Sequence, residues 1–223
     1  MEYEATRSRV EHYFDRTATK VWDQLTSDAP VSRIRQTVRR GRDAMRARML
    51  ERLPADLTGA RVLDAGCGTG LMATELAARG ARVTAVDISP SLIDIAQRRL
   101  PDTLKARVQF QVGDMLSKDL GQFDHVMAMD SLIYYREDDI HTALDGLAKR
   151  TRDSIVFTVP PRTPLLMAMW HSGKLFPRSD RSPVMVPHGT QRLSRRLRQT
   201  GRVEDIGRVS VGFYISHALE VRP

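Results

Sequence analysis

Three aspartates stand at the carboxyl ends of three successive apolar runs: Asp64 in Val62-Leu63-Asp64-Ala65, Asp87 in Val83-Thr84-Ala85-Val86-Asp87, and Asp114 in Val112-Gly113-Asp114-Met115. The first run continues as Gly66-Cys67-Gly68-Thr69-Gly70, a G-x-G-x-G turn with an acid two residues before its first glycine. Alternating glycines permit left-handed backbone and close approach of a ligand, and a helix starting there offers free N–H groups. A dinucleotide-binding turn is spaced G-x-G-x-x-G, wider by one residue, to cradle two phosphates. The acid at Asp64 suits a cationic ligand end, Asp87 can accept from both ribose hydroxyls, and Asp114 can accept from an adenine amino group. Together they point to S-adenosylmethionine. The candidate cofactor-binding residues are Asp64, Ala65, Gly66, Cys67, Gly68, Gly70, Asp87, Ile88, Gly113, Asp114 and Met115.

The elements that must position these acids are read from periodicity. Strands are expected at Arg61–Ala65, Arg82–Asp87, Val108–Val112, His125–Met129 and Ser154–Val159, with helices near Met72–Ala78, Pro90–Leu100 and Asp139–Lys149. Two further strands joined near Gly212 fill Arg202 to Val221. The fold class is α/β and Rossmann-like: a seven-stranded, mostly parallel sheet with a final antiparallel pair. Residues 1–53 read as a helical N-terminal cap without glycine before Gly41, and residues 54–159 as the cofactor-binding core. Residues 160–189 form an insertion after the fifth strand that holds six of the eleven prolines, and residues 190–223 complete the sheet. A connection that long is expected to bind substrate or act as a lid.

The chain has 223 residues, 41% hydrophobic and 28% charged, which is ordinary for a water-soluble domain. No apolar run is long enough to span a bilayer and no signal-peptide core precedes the first helix, so a cytoplasmic protein is expected. The single cysteine excludes an intrachain disulfide, and the six histidines lack ligand spacing, so no protein-bound metal is expected. A net charge of +8 admits nucleic acid, an anionic membrane surface or an acidic substrate as partners. Seven arginines from Arg33 to Arg48 surround the apolar stripe Val31, Ile34, Val38, Met45 and Met49, an amphipathic pattern that either packs on its own domain or lies on a membrane surface.

The Asp64–Gly70 loop, Asp87, Gly113-Asp114, and Phe123-Asp124 through Asp130 resemble the first four motifs of the class I methyltransferases, which adds Asp130 to the cofactor-binding candidates. Tyr13-Phe14-Asp15, Trp22 and the run Ser172 to Pro183 resemble the magnesium-protoporphyrin IX methyltransferases of bacteriochlorophyll biosynthesis. That resemblance implies methylation of one propionate carboxylate to an ester, with magnesium only inside the substrate. Peripheral contact with the inner or photosynthetic membrane, and hand-over from the large porphyrin-binding subunit of magnesium chelatase, are implied partners.

A propionate is already ionised at neutral pH, so orientation and water exclusion replace a strong base. Tyr13, Tyr134 and Tyr135 are the catalytic candidates, as phenols that can orient the carboxylate. The family often has His-Tyr where this chain has Tyr134-Tyr135. A flat, greasy dianion needs an apolar slot with cations at its rim. Leu165, Leu166, Met167, Met169 and Trp170 can supply the slot; Lys174, Arg178 and Arg181 can hold the second propionate. Three other readings compete with this one: a methyltransferase for a quinone precursor, one for RNA, and an inactive docking protein. Asp130-Ser131-Leu132-Ile133 stands where a nucleic-acid methyltransferase would carry Asn/Asp-Pro-Pro-Tyr, and the intact acids speak against lost activity.

Overall fold

Val62 and Leu63 are adjacent and fully buried, yet belong to different hydrophobic clusters. Successive strand residues face opposite sides, so a strand apolar on both must be covered twice. In the computed structural model, which describes residues 2–15, 19–27, 30–164, 166–167 and 183–223, that is the arrangement. Strands β1 (Arg61–Ala65), β2 (Arg82–Asp87), β3 (Val108–Val112), β4 (Phe123–Ala128), β5 (Thr151–Val159), β6 (Arg202–Val211) and β7 (Tyr214–Arg222) form one sheet in the order β3-β2-β1-β4-β5-β7-β6. The first five pair in parallel, whereas β7 runs antiparallel to both β5 and β6. The order reverses between β1 and β4, where a crevice opens at the carboxyl ends.

The helical N-terminal region holds, among the described residues, α1 (Glu2–Tyr13), α2 (Thr19–Leu25) and α3 (Arg33–Leu50). Pro30 carries no amide proton to extend a helix, and the Ser32 hydroxyl caps α3 by accepting from the Arg35 N–H at 3.4 Å. On one face, Met45, Met49 and Leu50 of α3 pack with Met72, Ala73 and Leu76 of α4 (Leu71–Ala78) and with Ile93 of α5 (Pro90–Arg99). On the other, α6 (Glu137–Ala148) contributes Ile140, Leu144 and Leu147, and α7 (Thr190–Leu197) contributes Leu193 and Leu197.

The sequence reading places no helix at α7, although its buried Leu193 and Leu197 stand on one face among arginines. Strand β4 starts two residues before the expected His125, and a register shift between Phe123 and His125 hides its start from simple alternation. The insertion is stapled at its base: Pro161 and His188 form a parallel bridge, and the Val186 N–H donates to the Ile133 carbonyl at 2.8 Å. Among the described residues, no helix is long and apolar enough to cross a membrane.

Candidate active site

The expected glycine-rich turn lies in the crevice between the ends of β1, β2 and β4. Gly66 and Cys67 donate their N–H groups to the Val86 carbonyl at 2.8 and 3.0 Å, which ties the turn to the end of β2. Gly66 has φ of +80°, and a Cβ there would lie 2.4 Å from the Ser131 Cβ, so a side chain is excluded both by strain and by space. The surrounding cleft encloses about 1010 Å³ of unfilled space, part of it open to solvent.

Four carboxylates face this cleft, in two kinds of surroundings. Asp64 is 2% exposed and its Oδ2 has no hydrogen-bond partner. Burial pushes its carboxyl up from 3.8 to about 7, with the nearby Asp87 adding to the rise and an Ala73 N–H opposing it. Asp87 accepts from the Gly68 N–H at 2.8 Å and the Ser89 N–H at 3.0 Å, and burial raises its pKa as well. These two acids belong to the sheet core and are held by backbone alone.

The other two are gripped by the N-terminal helices. Asp114 accepts from the Tyr3 hydroxyl at 2.9 Å and from Arg7 Nη1 at 2.7 Å, both on α1. Asp130, at φ +55°, is left-handed without being glycine, a strained backbone that its neighbours hold in place. Its N–H donates to Thr158 Oγ1 at 2.8 Å, while its carboxylate accepts from Thr158 at 3.1 Å, Tyr214 at 3.1 Å and Arg42 Nη1 at 2.6 Å. Arg42 also lies over the Trp22 ring, 4.5 Å from its centroid. Gly41, in the middle of α3, makes this possible: a Cβ there would come within 2.6 Å of the Tyr214 ring.

The three candidate tyrosines part company. Tyr134 lines the cleft beside an aromatic group in which Phe14 stands 6.3 Å from Tyr134, 5.6 Å from Trp22 and 5.3 Å from Tyr13. Burial raises the Tyr134 phenol well above its ordinary value, so it stays protonated and can donate. Tyr135 also lines the cleft, but its ring stacks on Tyr3 at 4.8 Å next to Asp114, and burial raises it to about 12. Tyr13 packs edge-on against Phe14 and lies near enough to Tyr134 to add to the rise of its phenol, though it is not itself part of the cleft lining.

Among the other expected residues, Gly66, Cys67, Gly68, Ile88, Gly113 and Met115 line the cleft. Ala65 instead points into the core, and Gly70 serves as the left-handed cap of α4. Met167 is half-buried and lies outside the lining. Leu165, Met169, Trp170, Lys174, Arg178 and Arg181 lie outside the described residues.

Sequence reading missed Tyr3, Arg7, Arg42 and Ser131. Seven arginines on one helix carry no signal that singles out Arg42. His188 was missed too; its Nε2 meets the Tyr135 carbonyl at 3.1 Å, and burial lowers its pKa.

Known proteins sharpen this picture. A family model described as the C-terminus of magnesium-protoporphyrin IX methyltransferase matches residues 128–223, and a general methyltransferase domain matches residues 62–154. The magnesium-protoporphyrin O-methyltransferase of Rhodobacter capsulatus is 62% identical over 223 residues, which is 100% of this chain and 99% of the relative. A crystal structure of magnesium protoporphyrin IX methyltransferase from Synechocystis PCC 6803 with bound SAH superposes with a TM-score of 0.81 at 27% identity, covering 96% of this chain and 98% of that one. A ubiquinone biosynthesis O-methyltransferase of Xanthomonas oryzae is 42% identical, but over only 79 residues, 34% of this chain and 33% of its own.

Proposed function

Because the chain belongs to the magnesium-protoporphyrin O-methyltransferase family, we propose a division of labour within its cleft between donor-binding and acceptor-binding residues. The enzyme transfers a methyl group from S-adenosylmethionine to an oxygen of magnesium protoporphyrin IX. Likeness over the full length to the Rhodobacter relative supports a place for that step in bacteriochlorophyll synthesis, whereas the relative named for ubiquinone biosynthesis shares only a third of the chain.

The cleft fits the donor. An orphaned carboxylate oxygen on Asp64 awaits a cation, and the Gly66 turn leaves bare backbone where a Cβ would fill the space. Asp64 would take the donor's ammonium, Asp87 its ribose hydroxyls and Asp114 its adenine amino group, with Ile88, Leu92 and Met115 as apolar walls. When bound, the donor supplies an electrophilic methyl on a sulfonium.

On the acceptor side the single supporting observation is the protonated Tyr134 phenol beside Phe14 and Trp22. The aromatic group offers a face to a flat macrocycle. Tyr134 donates to one oxygen of an ionised propionate and leaves the other free to attack, so no base is needed. Tyr135, stacked on Tyr3, shapes the adenine end instead. Met167, with Trp170, Lys174, Arg178 and Arg181 of the insertion, completes the porphyrin slot and its cationic rim in this reading. Tyr13, edge-on to Phe14 and next to Tyr134, is a second phenol for the propionate in this reading. A cytoplasmic protein that meets an anionic membrane through exposed Arg33, Arg35 and Arg40, and receives porphyrin from the large chelatase subunit, fits the basic charge.

The test is methyl transfer from labelled donor to magnesium protoporphyrin IX, read as monomethyl ester. Tyr134→Phe should lower kcat about 10- to 100-fold with donor affinity kept, as expected for one lost hydrogen bond to a charged group. Tyr135→Phe should act mainly on donor affinity. The reverse pattern would overturn these roles, and transfer to RNA but not to porphyrin would overturn the acceptor.

A further inference from the structure

Tyr134 sits between two residues whose backbone carbonyls are both held by one distant segment. The Ile133 carbonyl accepts from the Val186 N–H at 2.8 Å, and the Tyr135 carbonyl faces Nε2 of His188 at 3.1 Å. These two grips differ in kind. The first is backbone on backbone, which almost any residue at position 186 could make. The second is a side-chain bond and depends on the residue type at position 188. A carbonyl only accepts, so the imidazole carries its proton on Nε2. His188 is 3% exposed, and burial lowers its pKa, which keeps the ring neutral at neutral pH.

The backbone of His188 is tied in turn to the other end of the insertion. Its N–H donates to the Pro160 carbonyl at 2.8 Å, and its carbonyl accepts from the Arg162 N–H at 2.8 Å. Pro160 directly follows β5, so the arm that leaves the sheet and the arm that returns to it meet at this residue. The ring then reaches across 53 positions to the segment after β4. Losing a buried bond of this kind frees the carbonyl to shift, and a shift of about 1 Å at a reacting group is enough to cost a large factor in rate.

We propose that His188 is a positioning residue for methyl transfer: its Nε2–H holds the Tyr135 carbonyl and so seats the Tyr134 phenol, in register with both arms of the insertion. This rests on the reading of Tyr134 as a phenol that orients the propionate. His188 is not part of the cleft lining and acts through Tyr134.

The experiment is steady-state methyl transfer to magnesium protoporphyrin IX by the full-length protein, with folded molecules counted by titration with S-adenosylhomocysteine. His188→Leu should lower kcat about 5- to 30-fold and leave S-adenosylhomocysteine affinity within about twofold; the loss cannot exceed that of Tyr134→Phe, through which it acts. His188→Asn, whose amide is too short to reach the carbonyl, should match His188→Leu. His188→Gln has an amide of the right length and should return kcat to within about threefold of wild type. In the Tyr134→Phe background, His188→Leu should cost less than about twofold more, as two residues acting as one unit do. A lowered Tm with kcat per folded molecule intact would overturn the proposal. So would losses that multiply in the double variant, or a His188→Gln no better than His188→Leu. Silent His188 variants beside an impaired Tyr134→Phe would defeat the proposal alone, whereas a silent Tyr134→Phe would remove the reading of the phenol and the proposal with it.

Discussion

Replacing Asp64 by asparagine should change the pH dependence of stability in the ligand-free protein by a calculable amount. In the unfolded chain this carboxyl ionises near 3.8, and in the folded protein burial lifts it to about 7. At about 1.4 kcal/mol per tenfold change in proton affinity, the folded state bears a cost of about 4 kcal/mol once both states are ionised. Below pH 3.8 both states hold the proton and the cost is absent. Between pH 3.8 and 7 unfolding releases a proton, so stability falls as pH rises; above 7 the cost is constant. Asparagine cannot titrate. It carries a fixed penalty for its own buried amide, but the stability gap between variant and wild type should still grow in the variant's favour by about 3 kcal/mol from pH 5 to pH 8. For a chain of this size that is on the order of 10 °C in relative Tm.

The assay is paired thermal melts of both proteins in matched buffers across that range, without ligand. A second arm measures proton release when wild type binds S-adenosylhomocysteine, from calorimetry in buffers of differing ionisation enthalpy. An ammonium on Asp64 favours the charged form, so release should be large at pH 6 and small at pH 8.5. A stability gap that is flat with pH would refute the account, and so would binding at pH 6 that shows no buffer dependence.

Two further substitutions test how the N-terminal helices are fastened. Glu220 is fully buried, its Oε2 accepting from Arg52 Nε at 2.9 Å and Nη2 at 2.6 Å and its Oε1 from Arg222 at 3.0 Å. Arg52→Met should therefore cost about 3 kcal/mol in urea unfolding, with Glu220→Gln recovering part of it; a loss below about 1 kcal/mol would mean that Arg222 suffices. Gly41→Ala would stabilise an ordinary helix by about 1 kcal/mol, but here its Cβ would meet the Tyr214 ring at 2.6 Å. A net destabilisation of about 1–3 kcal/mol is expected, and a raised Tm would show that Tyr214 does not pack as described.

The positions of the parallel strands along the chain and the acids at their ends were legible because each depends on local pattern: alternation within a run, a glycine spacing, a carboxylate after a strand. Asp64, Asp87 and Asp114 do meet in one cleft. The partners of those acids were not legible, since Tyr3 and Arg7 reach Asp114 across more than 100 positions and Arg42 reaches Asp130 across 88. A long-range pair leaves no mark on local spacing. Tyr134 and Tyr135 look equivalent in sequence, and only the stack of Tyr135 on Tyr3 separates them. The start of β4 escaped because a register shift breaks its alternation.

The cleft carries a charge logic that the fold class alone does not impose. Its four aspartates split by origin of their partners: Asp64 and Asp87 are bonded by core N–H groups and have no cationic partner, whereas Asp114 and Asp130 are neutralised by Arg7 and Arg42 from helices outside the core. Had all four been left unpaired, their mutual repulsion would have raised each pKa and weakened the field that a sulfonium donor needs. Had all four met arginines, no acceptor would remain for the donor's ammonium. The N-terminal helices therefore set the electrostatics of the site as well as covering it. Loosening their docking would strip Asp114 and Asp130 of their cations and return both charges to the cleft.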